Sequence, residues 1–511
     1  MTEERSSAPK AGRNPGQSRL PTGTELRDEL FSRPTAERME MGVARRESCK
    51  RSDLATWEAP ADRPDPVDIL IESSKGRVEE LIPIRYGRML ATPFTFYRGG
   101  AAIMASDLSR SPSPGLRLWA CGDAHLLNFG AFATPERKMA FDINDFDETA
   151  IAPFDWDVKR LVASFIVAGR SNGFSAADAR AAALTAARTY RERMAEFAAT
   201  PVLDVWYSSL DPFDLYKAAS AEIDVKPALK RLQVAAERSA HAREYAKLAY
   251  QSGDHPRIKD DPPLLYHPIE FEDDSFLKVA EQAIADYSAS LPPERLMLIE
   301  RFKLADVAMK VVGVGSVGTF CGIALMMSGA GDPLFLQFKE ARASVLEPYN
   351  RQIPLKHHGE RVVIGQRLMQ SASDIFLGWS SGSEVVSLDM ARFVRDVLLE
   401  KQASIVASTG SGAAHRHFYM RQLRDAKVTP LVDTFDPPRM KAYAAATGMA
   451  LARAHARSGD AAMLSGYMGT GKTFDEALAT FGEAYADQNE RDHARLVEAV
   501  RDGRIEARPG V

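Results

Sequence analysis

Gly122-Asp-Ala-His-Leu-Leu-Asn-Phe129, followed by Phe141-Asp-Ile-Asn-Asp-Phe-Asp-Glu148, is the stretch that decides the fold of this chain. It sets a carboxylate (Asp123), a carboxamide five residues on (Asn128) and a second carboxylate (Asp145) in one short segment. Phosphoryl transfer uses those three groups: one orients the attacking hydroxyl, and two hold magnesium against nucleotide phosphates. Phe129-Gly-Ala-Phe-Ala133 and Lys138-Met-Ala-Phe-Asp-Ile143 alternate as two strands around Thr134-Pro-Glu-Arg137, so a hairpin is expected between Asn128 and Asp145.

Other readings of these residues stay open. Gly-Asp-x-His with nearby acids also suits a dinuclear metal phosphoesterase, which needs further compact histidine motifs. The others here (for example His357, His358, His415 and His417) are scattered or in polar pairs. His125 is expected to hold the loop shape. Asp142 and Asp147 flank Asp145, and either becomes the metal ligand if the register moves. Asp and Asn also simply cap turns. Asp157, in Phe154-Asp-Trp-Asp-Val-Lys-Arg160, opens a helix behind the segment, either as a bond acceptor for the loop backbone or as a plain N-terminal acid.

Further along, Val311-Val-Gly-Val-Gly-Ser-Val-Gly-Thr-Phe320, Ile323-Ala-Leu-Met-Met327 and Leu334-Phe-Leu-Gln-Phe-Lys-Glu340 read as three antiparallel strands with a glycine-rich first connection. A dinucleotide fold would need a long helix after Gly318 and an acid about twenty residues on; a Gly-Ala-Gly-Asp-Pro turn intervenes instead. A phosphate-covering loop of Gly313, Gly315, Ser316 and Gly318, with Lys339 on the third strand, fits better. A tight hairpin remains the plain alternative. A lysine on an apolar strand needs a carboxylate partner; Glu360 is the first candidate and Glu347 the second, the alternative being that Lys339 snorkels at a strand edge.

The chain has 511 residues, 45% hydrophobic and 26% charged, enough for two or more lobes of ordinary globular composition. A formal charge of −4 provides no basic field for nucleic acid. Three distant cysteines fit a reducing cytoplasm and exclude a disulfide framework, and no long apolar run predicts a membrane span. Residues 1–25 read as a disordered tail, 26–300 as a catalytic-loop and helical lobe, 301–430 as a β-rich nucleotide-binding lobe with one long helix (from Glu360 to about Leu377), and 431–511 as helices completing the first lobe.

Gly122–Asn128, Asn144–Glu148 and Pro153–Leu161 resemble the catalytic core of aminoglycoside-phosphotransferase-type kinases. More broadly, Ala91–Gly99, Cys121–Gly130, Asp142–Thr149, Lys310–Thr319, Gln337–Pro348, Gly365–Gln370, Phe418–Lys427 and Ala484–Arg491 resemble the bacterial family known as domain of unknown function 2252. The kinase resemblance implies an α+β, two-lobed fold using ATP and Mg2+. Asp123 would then orient the acceptor hydroxyl, Asn128 and Asp145 bind magnesium, and Lys339 contact phosphates. Two departures stand out. The glycine loop and lysine strand follow the catalytic segment, implying circular permutation with His417–Leu423 before the hinge and Arg424–Lys427 near the adenine. Cys121 also replaces the histidine usual two residues before the catalytic Asp. The acceptor, a small molecule in preference to a protein, would bind among residues 170–300. A nucleotidyl transferase and a non-catalytic nucleotide-binding scaffold are the other outcomes.

Overall fold

The structure is a computed structural model that describes residues 30–236, 245–252, 255–262, 264–267, 275–311, 313, 317–350, 355–381, 416–423 and 426–510. The expected tail (1–25), Gly315, Ser316 and Arg424 lie outside the described residues.

The opening segment folds into two small antiparallel pairs. β1 (Arg117–Ala120) pairs with β4 (Ala150–Pro153), and between them β2 (Phe129–Ala133) pairs with β3 (Met139–Ile143), with Phe129 opposite Ile143. The chain then enters helix Phe154–Ser171, whose residues are almost all buried. Ser175 caps the next helix, Ala176–Ala199, by accepting from the Asp178 amide. That helix is alanine-rich because it lies close against Pro437–Ser458: a Cβ on Gly448 would come 2.7 Å from the Ala186 carbonyl oxygen. Thr473–Arg501 closes the helical core, where Phe154, Leu161, Phe165, Tyr190, Leu451, Phe474 and Phe481 are buried together.

The second layer is a six-stranded sheet of order β11-β12-β10-β9-β8-β7. Its strands are β7 (Leu265–Tyr266), β8 (Phe302–Lys310), β9 (Cys321–Ser328), β10 (Pro333–Ala341), β11 (Gly378–Ser381) and β12 (His417–Gln422); a separate hairpin, β5 (Ala249–Ser252) and β6 (His255–Ile258), precedes it. β9 and β10 are the second and third antiparallel strands expected from the pattern; the first, β8, ends at Lys310, and the described residues of 311–320 belong to the connection rather than to a strand. β7 comes from chain before residue 301, so the sheet draws on both sides of that expected boundary. Strand alternation gives the sheet two different faces. Val307, Met309, Ala324, Met326, Leu334, Leu336, Phe418 and Met420 join one apolar cluster, together with Tyr287 of helix Ser275–Ser288. Lys339, Gln337, Tyr419 and Arg421 have the opposite parity.

The helix after β10 runs from His358 to Met369, shorter than the expected span to Leu377. It stops because the buried Asp142 carboxylate accepts both the amide and the hydroxyl of Ser371 at 2.8 Å, while the Gln370 side chain donates to the Ile143 carbonyl. Among the described residues no helix is long and apolar enough to cross a membrane.

Candidate functional site

The segment Gly122–Asp157 is held from behind before it offers anything to a ligand. Gly122 has φ of 84°, and a Cβ there would lie 2.1 Å from the Glu148 carbonyl oxygen, so only glycine permits the turn. Asp157 accepts from the amides of Cys121 at 2.6 Å and Gly122 at 2.9 Å, taking up the backbone-holding role open to it from sequence. His455 Nε2 lies 3.0 Å from the same carboxylate, and Tyr190 holds the other ring nitrogen at 2.8 Å. Asp142 is fully buried against Arg453 at 2.6 Å, so it is not the outward ligand that a shifted register would require.

The front of the segment faces a cleft of about 970 Å3, lined by Asn144, Asp145, Gln337, Lys339, Arg421 and Gly313 among others. Asp123 presents Oδ1 to Arg160 Nε. Its Oδ2 stands 3.8 Å from His125 Nε2. His125 Nδ1 accepts from the Leu127 amide, which puts the ring proton on Nε2, and burial holds the imidazole down at about 4, hence neutral. Asn128 Nδ2 donates to the Asp123 carbonyl at 2.6 Å, and the Asn128 carbonyl accepts from Asn144, tying the loop to the residue before Asp145.

Across the cleft, β10 aims Lys339 at the aspartate motif. Its ammonium is paired with Asp147 and lies 4.0 Å from Asp145. Tyr419, opposite Lys339 in the sheet register, donates to the other Asp147 oxygen at 2.8 Å. Burial opposes ionisation of Asp147, but the Lys339 charge and the Tyr419 hydroxyl hold its carboxyl below the usual range. Asp145, 40% exposed and so open to the cleft, is pushed up by desolvation and by the Asp147 charge. Lys339 stays protonated: the two carboxylates outweigh the cost of its burial.

The expected pairing of Lys339 with a helix glutamate is therefore replaced. Glu360 sits in the first turn of the His358–Met369 helix, its amide bonded to His357, whose ring stacks on His417. Glu347 caps the Ser344 amide and stands 3.6 Å from Arg361. The helix contributes Arg361 instead. Its guanidinium donates to the carbonyls of Asp147, Thr149 and Arg342, locking the motif to the end of the lysine strand. The glycine-rich connection is anchored from the N-terminal side: Val78 donates to the Gly318 carbonyl at 2.8 Å and Arg77 to that of Val317 at 2.7 Å.

Arg421 is a charged side chain of the cleft that the sequence motifs did not single out. It sits opposite Gln337, donates from Nε to that residue's side-chain oxygen at 3.1 Å, and feels both Asp145 and Asp147. The signal was available, since Tyr419 and Arg421 alternate with the apolar Phe418 and Met420. Among the described residues no three His, Cys, Asp or Glu side chains converge to hold a metal.

These features define a mixed α+β protein with a charged cleft between a helical core and an antiparallel sheet. Residues 77–499 match the family described as uncharacterized protein conserved in bacteria, DUF2252, and the chain belongs to that family. No curated protein and no solved structure matches it.

Proposed function

We propose that the chain is an ATP- and magnesium-dependent phosphotransferase, kinase-like in arrangement and circularly permuted, acting on an acceptor hydroxyl of a small molecule. The observation that carries this reading is the meeting of Lys339, on a strand, with Asp145 and Asp147, on a loop far from it in sequence. A lysine strand, a glycine-rich connection and an aspartate motif are the recurring parts of a kinase phosphate site.

The donor set suits magnesium, which takes hard oxygens and often only one or two carboxylates beside phosphate oxygens. Asp145 is open to the cleft, and Asn128, with its Nδ2 committed to a carbonyl, keeps its side-chain oxygen as the ligand atom. When bound, ATP supplies the γ-phosphoryl group and the metal neutralises its charge. The chain's own residues do the rest. Asp123 uses Oδ2 to accept the acceptor hydroxyl, while Arg160 fixes Oδ1 and with it the carboxylate plane. Lys339 and Arg421 face the phosphates, and Asp147 with Tyr419 keeps the lysine charged and aimed. The glycine-rich connection, of which Gly313 and Gly318 are described, covers the phosphates. Three buried free thiols, Cys49, Cys121 and Cys321, support a reducing, cytoplasmic setting.

Thermal shift with ATP plus magnesium, compared with ATP alone, tests the premise. Metal-dependent stabilisation is expected in the wild type and its loss in Asp145→Ala; no stabilisation in either sinks the reading. Transfer of label from the γ-phosphate is expected. Transfer from the α-phosphate instead identifies a nucleotidyl transferase, and binding without transfer a scaffold.

A further inference from the structure

The Lys339 face of the sheet changes character along its length. Beyond Gln337 and Arg421 its side chains turn apolar: Ile323, Leu325, Phe335, Ala308 and Leu423. Leu423 also lines the cleft, so this apolar half is continuous with the charged half. A planar, apolar group attached to phosphates anchored at Lys339 would need such a platform, because flat rings gain affinity by burying their faces. Yet Ile323 and Leu325 are fully buried, within one cluster with Ala249 and Ile258 of the β5–β6 hairpin. The chain's own hairpin covers the platform.

What fastens this cover is polar. β8 carries a β-bulge between Leu304 and Asp306, a device that re-aims a side chain. Asp306 Oδ2 accepts from the Ile258 amide at 2.6 Å and lies 2.9 Å from His267 Nε2. The other His267 nitrogen lies 2.8 Å from Asp260 Oδ1, which also accepts the His267 amide at 2.6 Å. With a carboxylate on each nitrogen, only the doubly protonated ring donates to both. Asp306 on β8 and Asp260 on the segment leaving the hairpin are the charged groups acting on His267. Together they raise its pKa against the opposing effect of burial. The remaining contact is narrow, since Tyr250, Gln251, Ser252 and His255 are exposed.

We propose that hairpin β5–β6 is a removable cover over an apolar binding platform on the Lys339 face, latched to β8 through His267 between Asp260 and Asp306, and that the flat part of the phosphate donor binds where the cover lies. The donor half rests on the phosphotransferase reading; the latch does not. The sign follows from linkage. A histidine whose folded pKa is raised stabilises the closed form below its unfolded value and loses that contribution as pH rises through the folded value. The cover therefore opens as pH rises past the ordinary histidine range.

Amide hydrogen exchange of residues 249–258, corrected for intrinsic rate, is measured on the full chain between pH 6 and pH 9, in the wild type and in His267→Gln. Protection is expected to fall with rising pH in the wild type, and to be low and flat in the variant. Flat, equal protection in both overturns the latch; a second variant, Asp306→Asn, guards against a fold defect, with the helical signal of each checked by circular dichroism. Binding of a fluorescent ring-labelled ATP analogue with magnesium is then measured at pH 6. A gain of about fivefold or more in His267→Gln is expected, because apparent affinity scales with the open fraction. An open hairpin with unchanged nucleotide affinity overturns the cover's role over the donor. No nucleotide binding in any form overturns the phosphotransferase reading and the donor half with it, while exchange still decides the latch.

Discussion

Five aspartates of one segment fall into two regions with opposite surroundings. Asp142 and Asp157, at the back, face the Pro437–Ser458 helix and are closed off by Arg453 and His455. Asp123, Asp145 and Asp147, at the front, face Arg160 and Lys339 and keep 20%, 40% and 26% exposure. The same side chain thus serves two purposes, set by whether its partners leave it any exposed oxygen. A buried carboxylate fully matched by donors holds backbone in place, whereas one left partly open stays accessible to a ligand at some cost in stability.

The sharpest way to break this division is to remove one member of each kind. Asp145→Ala is expected to abolish magnesium-dependent stabilisation by ATP and to lower transfer by about 10³-fold, the scale on which such sites depend on charge placement, with a melting point at or above that of the wild type. A melting point that collapses instead would place Asp145 with the structural pair. At the back, Arg453→Met leaves Asp142 buried without its counter-charge and is expected to cost about 3–5 kcal/mol in urea unfolding. Wild-type stability in that variant would refute the assignment of Asp142 as a clamp.

Glu148 sits between the two regions and sharpens the comparison through pH. Burial pushes its carboxyl up to about 7, against the Val345 amide that favours the charged form. The folded chain therefore holds this proton where the unfolded chain releases it. Stability is fully present below the ordinary glutamate range and is lost as pH rises to about 7. The change in urea-unfolding free energy between pH 4.5 and 7.5 should differ between wild type and Glu148→Gln by about 1–3 kcal/mol; an equal change in both would show that Glu148 has no part in it. The smallest expected effect is Tyr419→Phe. Loss of one hydrogen bond to Asp147 should cost about 1 kcal/mol and a few-fold in nucleotide affinity, read by the same thermal shift with and without ATP.

Much of this was visible in the residues. The β2–β3 hairpin, helix Phe154–Ser171 and the Lys339 strand follow from local period and turn chemistry, which act over a few residues. The family follows from its motifs. What escaped was set by contacts between distant parts of the chain. The partner of Lys339 is an aspartate nearly two hundred residues earlier, and no local pattern selects it over Glu360. Strand β7 has two residues, too few for an alternation to appear. The hairpin over Ile323 and Leu325 is mostly polar in sequence, and only the sheet beneath explains why Ala249 and Ile258 face inward.

The back clamp has a further consequence, for synthesis. Arg453 and His455 emerge from the ribosome roughly 300 residues after Asp157, a delay on the order of 15–60 s at ordinary translation speed. Throughout that interval Asp142 lacks its Arg453 counter-charge and Asp157 its His455 partner, so the back of the nascent segment is not yet closed. Its clamp is complete only when the Pro437–Ser458 helix docks, which makes closure of this segment a late event in the life of each molecule.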